Sequence, residues 1–287
     1  MNPTQTYKLK TSKGKNSLMK WLANIPFWLI IIIFVLIVAG MTASVLVSSI
    51  SNAWFATWLP QSYTLHWFAQ AWIDYNIWHF YKVTLEVTIL STGISLVLSL
   101  PGAYVLARKQ FPLKSTIIGF YQLPFTLPEI AYAIPLASLF YKFGLAETIP
   151  GLVLAQMLVG IPFATFILIP FIEVLDPRLE SAAQSLGASR IDMLRRIVLP
   201  QLIPGITSAA INIFIRMFST FLVILLIAGP QTQTLTVMVF SVLQSAGSQA
   251  PAEISSVTIS LMFPLLGFTF ISLWFSAYVK KRTRQLG

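Results

Sequence analysis

Long apolar runs separated by short polar segments make up nearly all of the chain. A helix needs about 20 apolar residues to cross a bilayer, and six runs approach or exceed that length. They lie at about residues 26–48, 83–106, 116–140, 152–172, 205–228 and 254–278. The third run contains three prolines, Pro124, Pro128 and Pro135, which predict a broken span. The pattern therefore predicts an all-α membrane protein with six transmembrane helices.

One polar segment, Glu173–Pro204, lies between the fourth and fifth apolar runs. Its composition predicts two short helices separated by Gly187, whose backbone freedom suits a turn. Asp176, followed by Pro177, is expected to cap the first helix. Ser189 is expected to cap the second. A polar helix–Gly–helix hairpin between membrane spans is suited to contact a partner outside the lipid.

Small and apolar residues recur along the first helix of this hairpin at the spacing of one helical face. They are Leu179, Ala182, Ala183 and Leu186. Pro200 and Pro204 are expected to close the segment before the fifth span begins at about residue 205.

The composition restricts the chemistry that the chain can carry. Hydrophobic residues make up 56% of the chain and charged residues only 10%, which is too apolar for a soluble domain. The chain has no cysteine, so disulfides and thiolate metal sites are excluded. His66 and His79 are the two histidines, and no carboxylates near them complete a metal motif. The sequence predicts no metal site and no cofactor.

Basic residues determine the predicted orientation in the membrane. Sixteen of the nineteen lysines and arginines fall on one side when both termini, the 107–115 loop and the hairpin are placed together. Lys82 and Lys142 lie on the opposite side, and Arg216 lies inside the fifth run. Because cytoplasmic loops are enriched in Lys and Arg, we expect that shared side to be cytoplasmic.

The chain divides into four predicted regions. Residues 1–25 form a basic cytoplasmic tail, interpreted as disordered, and 281–287 form a second cytoplasmic tail. Residues 26–80 hold an outer interfacial segment and the first span, which is interpreted as retained in the protein. Residues 81–280 form the transmembrane core, including hairpin 173–204. The interfacial segment is rich in tryptophan: Trp54, Trp58, Trp67, Trp72 and Trp78. An interfacial belt is favoured, with a carbohydrate-stacking platform as the alternative.

The hairpin sequence resembles a known family. The pattern Ala182-Ala183-x3-Gly187-x9-Ile197-x-Leu199-Pro200 is similar to the EAA loop of permease subunits of binding-protein-dependent ABC importers with the type I, MetI-like fold. Residues 104–115, YVLARKQFPLKS, resemble the exit of an earlier span in that family, and the likeness extends over about residues 80–280. The chain departs from the pattern at Ser181, where the family usually has glutamate; Glu180 precedes it.

The resemblance implies a transport subunit that is not itself an enzyme. The chain has no phosphate-binding G-x-x-x-x-G-K-[ST] run, so a separate cytoplasmic ABC ATPase, expected in two copies, would hydrolyse ATP. Six spans are expected to form half of a pathway, completed by a second permease subunit or a second copy of the chain. An extracytoplasmic solute-binding protein and membrane lipids are the other expected partners, and nucleic acid is not. The expected location is the bacterial inner membrane.

The resemblance also assigns ATPase coupling to the hairpin. The residues expected to carry it are Leu179, Glu180, Ala182, Ala183, Leu186, Gly187 and Arg190. Because Ser181 replaces the usual glutamate, packing is expected to contribute more to docking than one particular charge. Arg190, Arg195 and Arg196 have two interpretations, contacts with lipid headgroups and contacts with the ATPase.

Polar residues inside the spans are the candidates for the translocation path, because ionisable groups are costly in lipid. They are Glu86, Glu129, Asn212 and Arg216. Glu86 is close to a span end and has an alternative interpretation as an interfacial carboxylate. Glu129 follows Pro128 in the broken span and is expected either to line the path or to pair with Arg216.

The solute is the least determined part of the prediction. The C-terminal third resembles polyamine, iron and phosphonate permeases, and a buried carboxylate suits a cationic solute, so a polyamine or related charged solute is favoured. The alternatives are a sugar, phosphonate or iron permease. A secondary transporter is a further alternative, although the chain has no internal repeat, and a membrane-embedded enzyme would need a paired catalytic set that the spans lack.

Overall fold

The computed structural model describes the backbone of residues 3–54, 57, 59–244 and 251–283. Side chains are described for 26–52, 54, 57, 59–244, 251–264, 266–271 and 274. The described chain is predominantly helical, as predicted. The elements in order are α1 Pro3–Ser49, β1 Ser51–Ala53, β2 Ser62–Tyr63, α2 His66–Asp74, α3 Ile77–Arg108, α4 Lys114–Thr126, α5 Glu129–Lys142, α6 Ile149–Val174, α7 Pro177–Ser185, α8 Arg190–Met193, α9 Leu199–Phe218, α10 Leu222–Ile227, α11 Leu235–Gln244 and α12 Pro251–Thr283.

Five of the described helices are long and apolar enough to cross a membrane. They are Pro26–Ser49 within α1, Ile77–Arg108, Ile149–Val174, Arg190–Phe218 and Pro251–Ile271 within α12. Helices α4 and α5 together pass the same test but meet at an angle of 96°. The structure thus agrees with the six predicted spans if this bent pair counts as one span.

The bend confirms that the third predicted span is broken, and it lies between Thr126 and Glu129. Leu127 has φ −81° and ψ 139°, an extended conformation that ends α4. A proline disfavours the helical conformation in the residue before it, so Pro128 accounts for this break. Pro124 and Pro135 lie inside α4 and α5.

The boundaries of the fifth predicted span, 205–228, are wrong at both ends. A π-helical turn, Leu194–Val198, joins α8 to α9, so one helical stretch runs from Arg190 to Phe218. Pro200 lies directly after this π-helical turn, as the second residue of α9, and does not interrupt the stretch. Pro204 lies inside α9. The stretch ends at Phe218, and α10 follows as a separate short helix.

The chain ends also differ from the prediction. The region 1–25 was interpreted as a disordered tail, but α1 begins at Pro3 and continues through Pro26 into the first span. Helix α12 continues to Thr283, so it includes part of the predicted tail 281–287.

The predicted interfacial segment contains a short hairpin, β1 with β2, and helix α2. Trp67 ties these parts together by donating a hydrogen bond from Nε1 to the carbonyl of Ser51, at 2.9 Å. The rings of Trp72 and Tyr81 stack with centroids 5.6 Å apart, which joins α2 to α3. Trp58, one of the five predicted interfacial tryptophans, lies outside the described residues.

The centre of the fold is the packing of α3 on α6 and of both on α9. The buried face of α3 consists largely of small hydroxyl side chains, which let membrane helices approach closely. These buried residues are Thr84, Thr88, Ser91, Thr92, Ser95 and Ser99. A Cβ atom on Gly160 of α6 would lie 2.5 Å from the Ser95 Oγ, so glycine is required for this approach. The three helices form the frame on which the hairpin and the transmembrane polar residues are held.

Candidate coupling hairpin and transmembrane cavity

The two helix starts of the hairpin have the predicted caps. Asp176 accepts a hydrogen bond from the backbone N–H of Arg178 at 2.9 Å, and Ser189 accepts one from that of Asp192 at 3.1 Å. Gly187 has φ +85°, a left-handed conformation that favours glycine. These local features follow from short-range chemistry, which is why the sequence could predict them.

The predicted apolar face of α7 is divided between two sides of the helix. Ala183 is buried and belongs to the core cluster that also contains Met193 and Val198. Leu179 is 45% exposed and Leu186 is 89% exposed. The side of α7 that faces away from the protein therefore presents Leu179 and the exposed Ala182, and Leu186 follows directly after the last residue of the helix.

Glu180, which the sequence grouped with the docking residues, lies on the inner side of α7. Its carboxylate forms a salt bridge with Arg108 at the end of α3, with 2.9 Å between Arg108 Nη2 and Glu180 Oε1. Arg108 Nε donates a second hydrogen bond to the same oxygen at 3.0 Å. The hydroxyl of Tyr104 donates to Oε2 at 2.5 Å. The two charged side chains are only 12% and 13% exposed, so Glu180 is turned towards α3 and is not presented to a partner.

Arg108 also binds the segment that leads into α7, because its Nη2 donates to the carbonyl of Leu175 at 2.7 Å. The sequence contained one indication of this arrangement. Glu180 lies directly before Ser181, the position at which the resembled family usually has glutamate. The pairing itself could not be predicted, because Arg108 and Glu180 are 72 positions apart in the sequence.

The arginines of the second hairpin helix are exposed, as either of their interpretations requires. Arg196 forms an i,i+4 ion pair with Asp192 at 3.6 Å, and these side chains are 82% and 50% exposed. A groove of about 290 Å³ lies between the turn of the hairpin and the helical segment after it, and its lining includes Leu186 and Met193.

A second polar site lies inside the transmembrane part, where α5, α6, α9 and α10 surround a cavity of about 140 Å³. Its lining includes both predicted path residues, Glu129 and Arg216. The remaining lining residues are Tyr132, Ala155, Gln156, Val159, Ser219, Thr220, Phe221, Leu222 and Val223. The cavity occurs where two predicted spans are interrupted, at the start of α5 and at the end of α9.

Glu129 and Arg216 share the cavity without forming an ion pair. Glu129 Oε1 accepts a hydrogen bond from the backbone N–H of Val223 at 3.3 Å. Among the described side chains, the ion pairs are Arg108–Glu180 and Asp192–Arg196. The predicted alternative, an ion pair between Glu129 and Arg216, is therefore not found there.

Gln156 is a lining residue that the sequence reasoning missed. Its side chain is 3% exposed, and its Nε2 donates to the carbonyl of Met217 at 3.1 Å. Its Oε1 is buried and has no hydrogen-bond partner among the described residues. The available signal was a single amide near the start of the fourth apolar run, since a lone polar residue in a span is costly.

The other two predicted path residues lie outside the cavity lining. Asn212 is exposed one turn before Arg216 on α9, and its Nδ2 donates to the carbonyl of Ser208 at 2.8 Å. Glu86 is exposed on α3. In the described part of the chain, no group of three or more His, Asp or Glu side chains could hold a metal ion.

Comparison with known proteins gives a family for most of the chain. Residues 95–285 match the family described as "Binding-protein-dependent transport system inner membrane component". The sulfate transport system permease protein CysT of Salmonella typhimurium is 31% identical over 201 residues, covering 65% of this chain and 73% of that protein. The trehalose transport system permease protein SugB of Mycobacterium tuberculosis is 30% identical over 190 residues, covering 66% and 69%.

A solved structure shows the same fold. The bacterial alginate ABC transporter in complex with an alginate pentasaccharide-bound periplasmic protein contains a chain that matches with a TM-score of 0.71 and 17% identity, covering 93% of this chain and 98% of the other. The names of these relatives concern sulfate and sugars, and they give no support to the favoured polyamine solute. The sugar alternative agrees with them better.

Proposed function

The chain belongs to the family of binding-protein-dependent transport system inner membrane components, and from this premise we propose how it couples and what it lines. It is a multi-pass permease subunit of an ABC importer and a transport component, not an enzyme. In the proposal, it forms half of the translocation path, and the hairpin transmits the movement of a cytoplasmic ATPase.

The observation that carries this proposal is the exposed apolar side of α7. Leu186 is 89% exposed and Leu179 is 45% exposed. The opposite side of the same helix, at Ala183, is buried in the protein. Exposed apolar side chains grouped on a short helix are characteristic of a protein-binding surface. We assign Leu179, Ala182 and Leu186 to docking in the ATPase, and Gly187 to the turn that positions them.

Glu180 has a different role in the proposed mechanism, as a positioning residue. Its bonds to Tyr104 and Arg108 fix the inner side of α7 to the end of α3. Because α3 packs along α6 and α9, a displacement of α7 would be transmitted to the helices that hold the path. Arg108 thereby becomes part of the coupling region, although the sequence-based assignment did not include it.

A second permease subunit, or a second copy of this chain, would complete the path. Asn212 and Arg216 are exposed on α9, and Glu86 is exposed on α3. Exposed polar and ionisable groups in a span avoid lipid by facing protein or a water-filled cavity. We therefore propose that the exposed polar side of α9 faces the path between the two halves.

The proposed orientation, with the hairpin and both termini in the cytoplasm, is supported by the distribution of the basic residues. The outer segment with α2 would then face an extracytoplasmic solute-binding protein, and the location would be the bacterial inner membrane. The solved relative in complex with a periplasmic protein supports this arrangement.

Copurification of the ATPase with variants of the hairpin tests the docking surface. Leu186→Asp places a charge on the exposed side of α7, and we expect it to lower the amount of bound ATPase by about tenfold or more. Phe143→Asp is the matched control, because Phe143 is 66% exposed and follows α5 in the loop predicted to lie on the opposite side of the membrane.

The membrane content of both variants should equal that of the unmodified chain, which is measured by quantitative immunoblotting. If Leu186→Asp retains the ATPase as well as Phe143→Asp does, the proposed docking surface is wrong.

A further inference from the structure

A large apolar groove lies where the C-terminal end of α1 meets α12, with α2 and the start of α3 beside it. Its volume is about 690 Å³. Its lining includes Leu46 and Val47 of α1, Phe68 and Trp72 of α2, and Ile259 and Phe263 of α12. We propose that this apolar groove binds an acyl chain of a membrane phospholipid. The inference goes beyond the proposed transport function and does not depend on the solute or on the ATPase.

The hydroxyl groups of the lining already donate hydrogen bonds within the chain. Ser49 Oγ donates to the carbonyl of Leu46 at 2.7 Å, and Ser260 Oγ donates to that of Ser256 at 2.9 Å. The Tyr81 hydroxyl donates to the carbonyl of Ser260. None of the buried polar atoms that lack a partner among the described residues belongs to this lining. The groove therefore offers few partners to water, which needs two to four polar groups to be held.

Charge gives the same selection. None of the described residues that line the groove has a charged side chain. An ionic ligand would lose its hydration there without gaining a partner, and such a loss is costly. Hydrocarbon is the chemistry that this lining accepts. The acyl chain of the phospholipid is therefore the bound part, and its headgroup stays outside the groove.

The groove is continuous with the surface that the spans present to lipid. Leu46 is exposed, and it lies on the same helix as the exposed apolar residues Phe34 and Leu36. Phe263 is exposed on α12. Both helices include candidate membrane spans, so hydrocarbon surrounds this surface. A phospholipid tail can enter the groove sideways from the bilayer.

Contacts between the surrounding helices hold the groove open. The hydroxyls of Ser48 on α1 and Ser255 on α12 are hydrogen-bonded at 2.9 Å. The rings of Trp72 and Tyr81 stack with centroids 5.6 Å apart and join α2 to α3. Because lipid tails are as apolar as leucine side chains, no hydrophobic force draws α1 further onto α12 to close the space.

The size of the groove requires an occupant. At about 30 Å³ for each molecule in the liquid, a space of this volume would hold about 20 waters. If the space were empty, the side chains of its walls would lose their dispersion contacts on that side. An acyl chain restores those contacts. Trp72 and Tyr81 are of the residue types that favour the level of the headgroups, which suits a lipid whose polar end lies beside them.

Photolabelling of the complete importer in its membrane tests the site. The probes are phosphatidylethanolamine and phosphatidylglycerol, each with a diazirine in one acyl chain. Detergent extraction and gel filtration remove loosely held lipid, irradiation then attaches the retained probe, and mass spectrometry of peptides locates it. We expect residues 46–50, 65–72 and 259–264 to carry at least about threefold more probe per residue than the lipid-facing residues 27–38.

The two probes also test which part of the lipid is recognised. They should label the groove to within about twofold of each other, because no charge in the lining distinguishes an anionic headgroup. Labelling of the groove by only one probe would show that the headgroup determines binding, and it would overturn the assignment to the acyl chain.

Variants that fill the groove locate the effect. Val47→Phe places a larger side chain in the lining, and we expect it to lower labelling of the groove at least about fivefold. Leu46→Trp fills the groove from the neighbouring position and should act in the same direction. Val35→Phe is the matched control, because it makes the same change on the same helix at an exposed residue outside the lining. Its labelling of the groove should equal that of the unmodified chain, with membrane content compared by immunoblotting.

Three outcomes would contradict the proposal. The first is equal labelling along the whole lipid-facing surface, which indicates ordinary surrounding lipid. The second is labelling of the groove that both filling variants leave unchanged. The third is a groove without label whose residues crosslink to another subunit or to a second copy of the chain, because a protein surface would then fill it.

Discussion

The chain holds two pairs of opposite charges on its helical frame, and they are arranged differently. Arg108 and Glu180, at the hairpin, are joined at 2.9 Å and are nearly buried. Glu129 and Arg216 border the same cavity, yet they are not an ion pair in the described structure. The first pair is satisfied within the chain, whereas the second retains most of its hydrogen-bonding capacity.

The difference separates a structural role at the hairpin from the role in the solute path that we propose for the cavity. A buried ion pair gains little net stability because desolvation offsets the attraction, but it specifies one geometry, and removal of one partner is costly. The Arg108–Glu180 pair thus holds α7 on α3 in a single position. Glu129 and Arg216, which are proposed to line the path, have no such pairing with each other among the described residues.

The largest expected effect is the loss of the hairpin pair. Glu180→Ala leaves the Arg108 guanidinium nearly buried without its partner, and we expect it to lower the free energy of unfolding by about 3 kcal/mol or more and to abolish uptake. Thermal unfolding in detergent and proteoliposome uptake measure these effects.

The exposed ion pair of the same hairpin offers a control. Arg196→Gln removes the exposed partner of Asp192 and should change stability by less than about 1 kcal/mol. If Glu180→Ala were as mild as this control, the proposed structural role of the buried pair would fail.

A matched change in the cavity should affect transport more than stability. Arg216→Gln removes an exposed guanidinium that has no ion-pair partner among the described residues, so we expect at least about a tenfold loss of uptake and an unfolding change below about 1 kcal/mol. The same two assays apply. Destabilisation equal to that of Glu180→Ala would mean that Arg216 also has a structural partner, and the contrast between the two sites would disappear.

Removal of a single hydroxyl group at each site, from Tyr104 at the hairpin and from Tyr132 at the cavity, compares the two sites more finely. Tyr104→Phe removes the hydrogen bond to the Glu180 carboxylate and should cost about 1.5–3 kcal/mol, the range for bonds to charged groups. Tyr132→Phe, in the cavity lining, is expected to leave stability within about 0.5 kcal/mol. Thermal unfolding of the two variants side by side measures the difference, and equal shifts would argue against it.

The smallest expected effect concerns the turn of the hairpin. Gly187→Ala places a Cβ on a residue with φ +85°, which should cost about 1–2 kcal/mol, without a clash because nothing lies within 4 Å. Gly119→Ala, in a helix with equally open space, is the control and should be neutral or slightly stabilising. Thermal unfolding compares the two, and a neutral result for Gly187→Ala would show that this turn tolerates a side chain.

Local chemistry explains what could be predicted before the structure. The caps at Asp176 and Ser189 and the turn at Gly187 depend on residues within three positions, and the sequence contains all of those. The six apolar runs likewise depend on length and composition alone. The break in the third span was also predictable, because Pro128 restricts the residue directly before it.

The incorrect predictions involve interactions between distant parts of the chain. The helical spacing predicts one docking face that includes Ala183 and Leu186, but Ala183 is buried in the cluster that also contains Met193, whereas Leu186 is 89% exposed. The end of the fifth span was misplaced because α9 stops at Phe218 inside an otherwise continuous apolar run. Hydrophobic pattern does not reveal such a break.

The sequence by itself determined that this is a helical membrane protein, which side carries the positive charge, where the hairpin lies, and which family it resembles. These properties depend on hydropathy, charge and short motifs, and each is local. Only the tertiary structure decided that Glu180 binds Arg108 from 72 positions away, and that Gln156 joins Glu129 and Arg216 around one cavity. Such partners meet because α3, α6 and α9 pack together, and the geometry of that packing is not contained in any one segment.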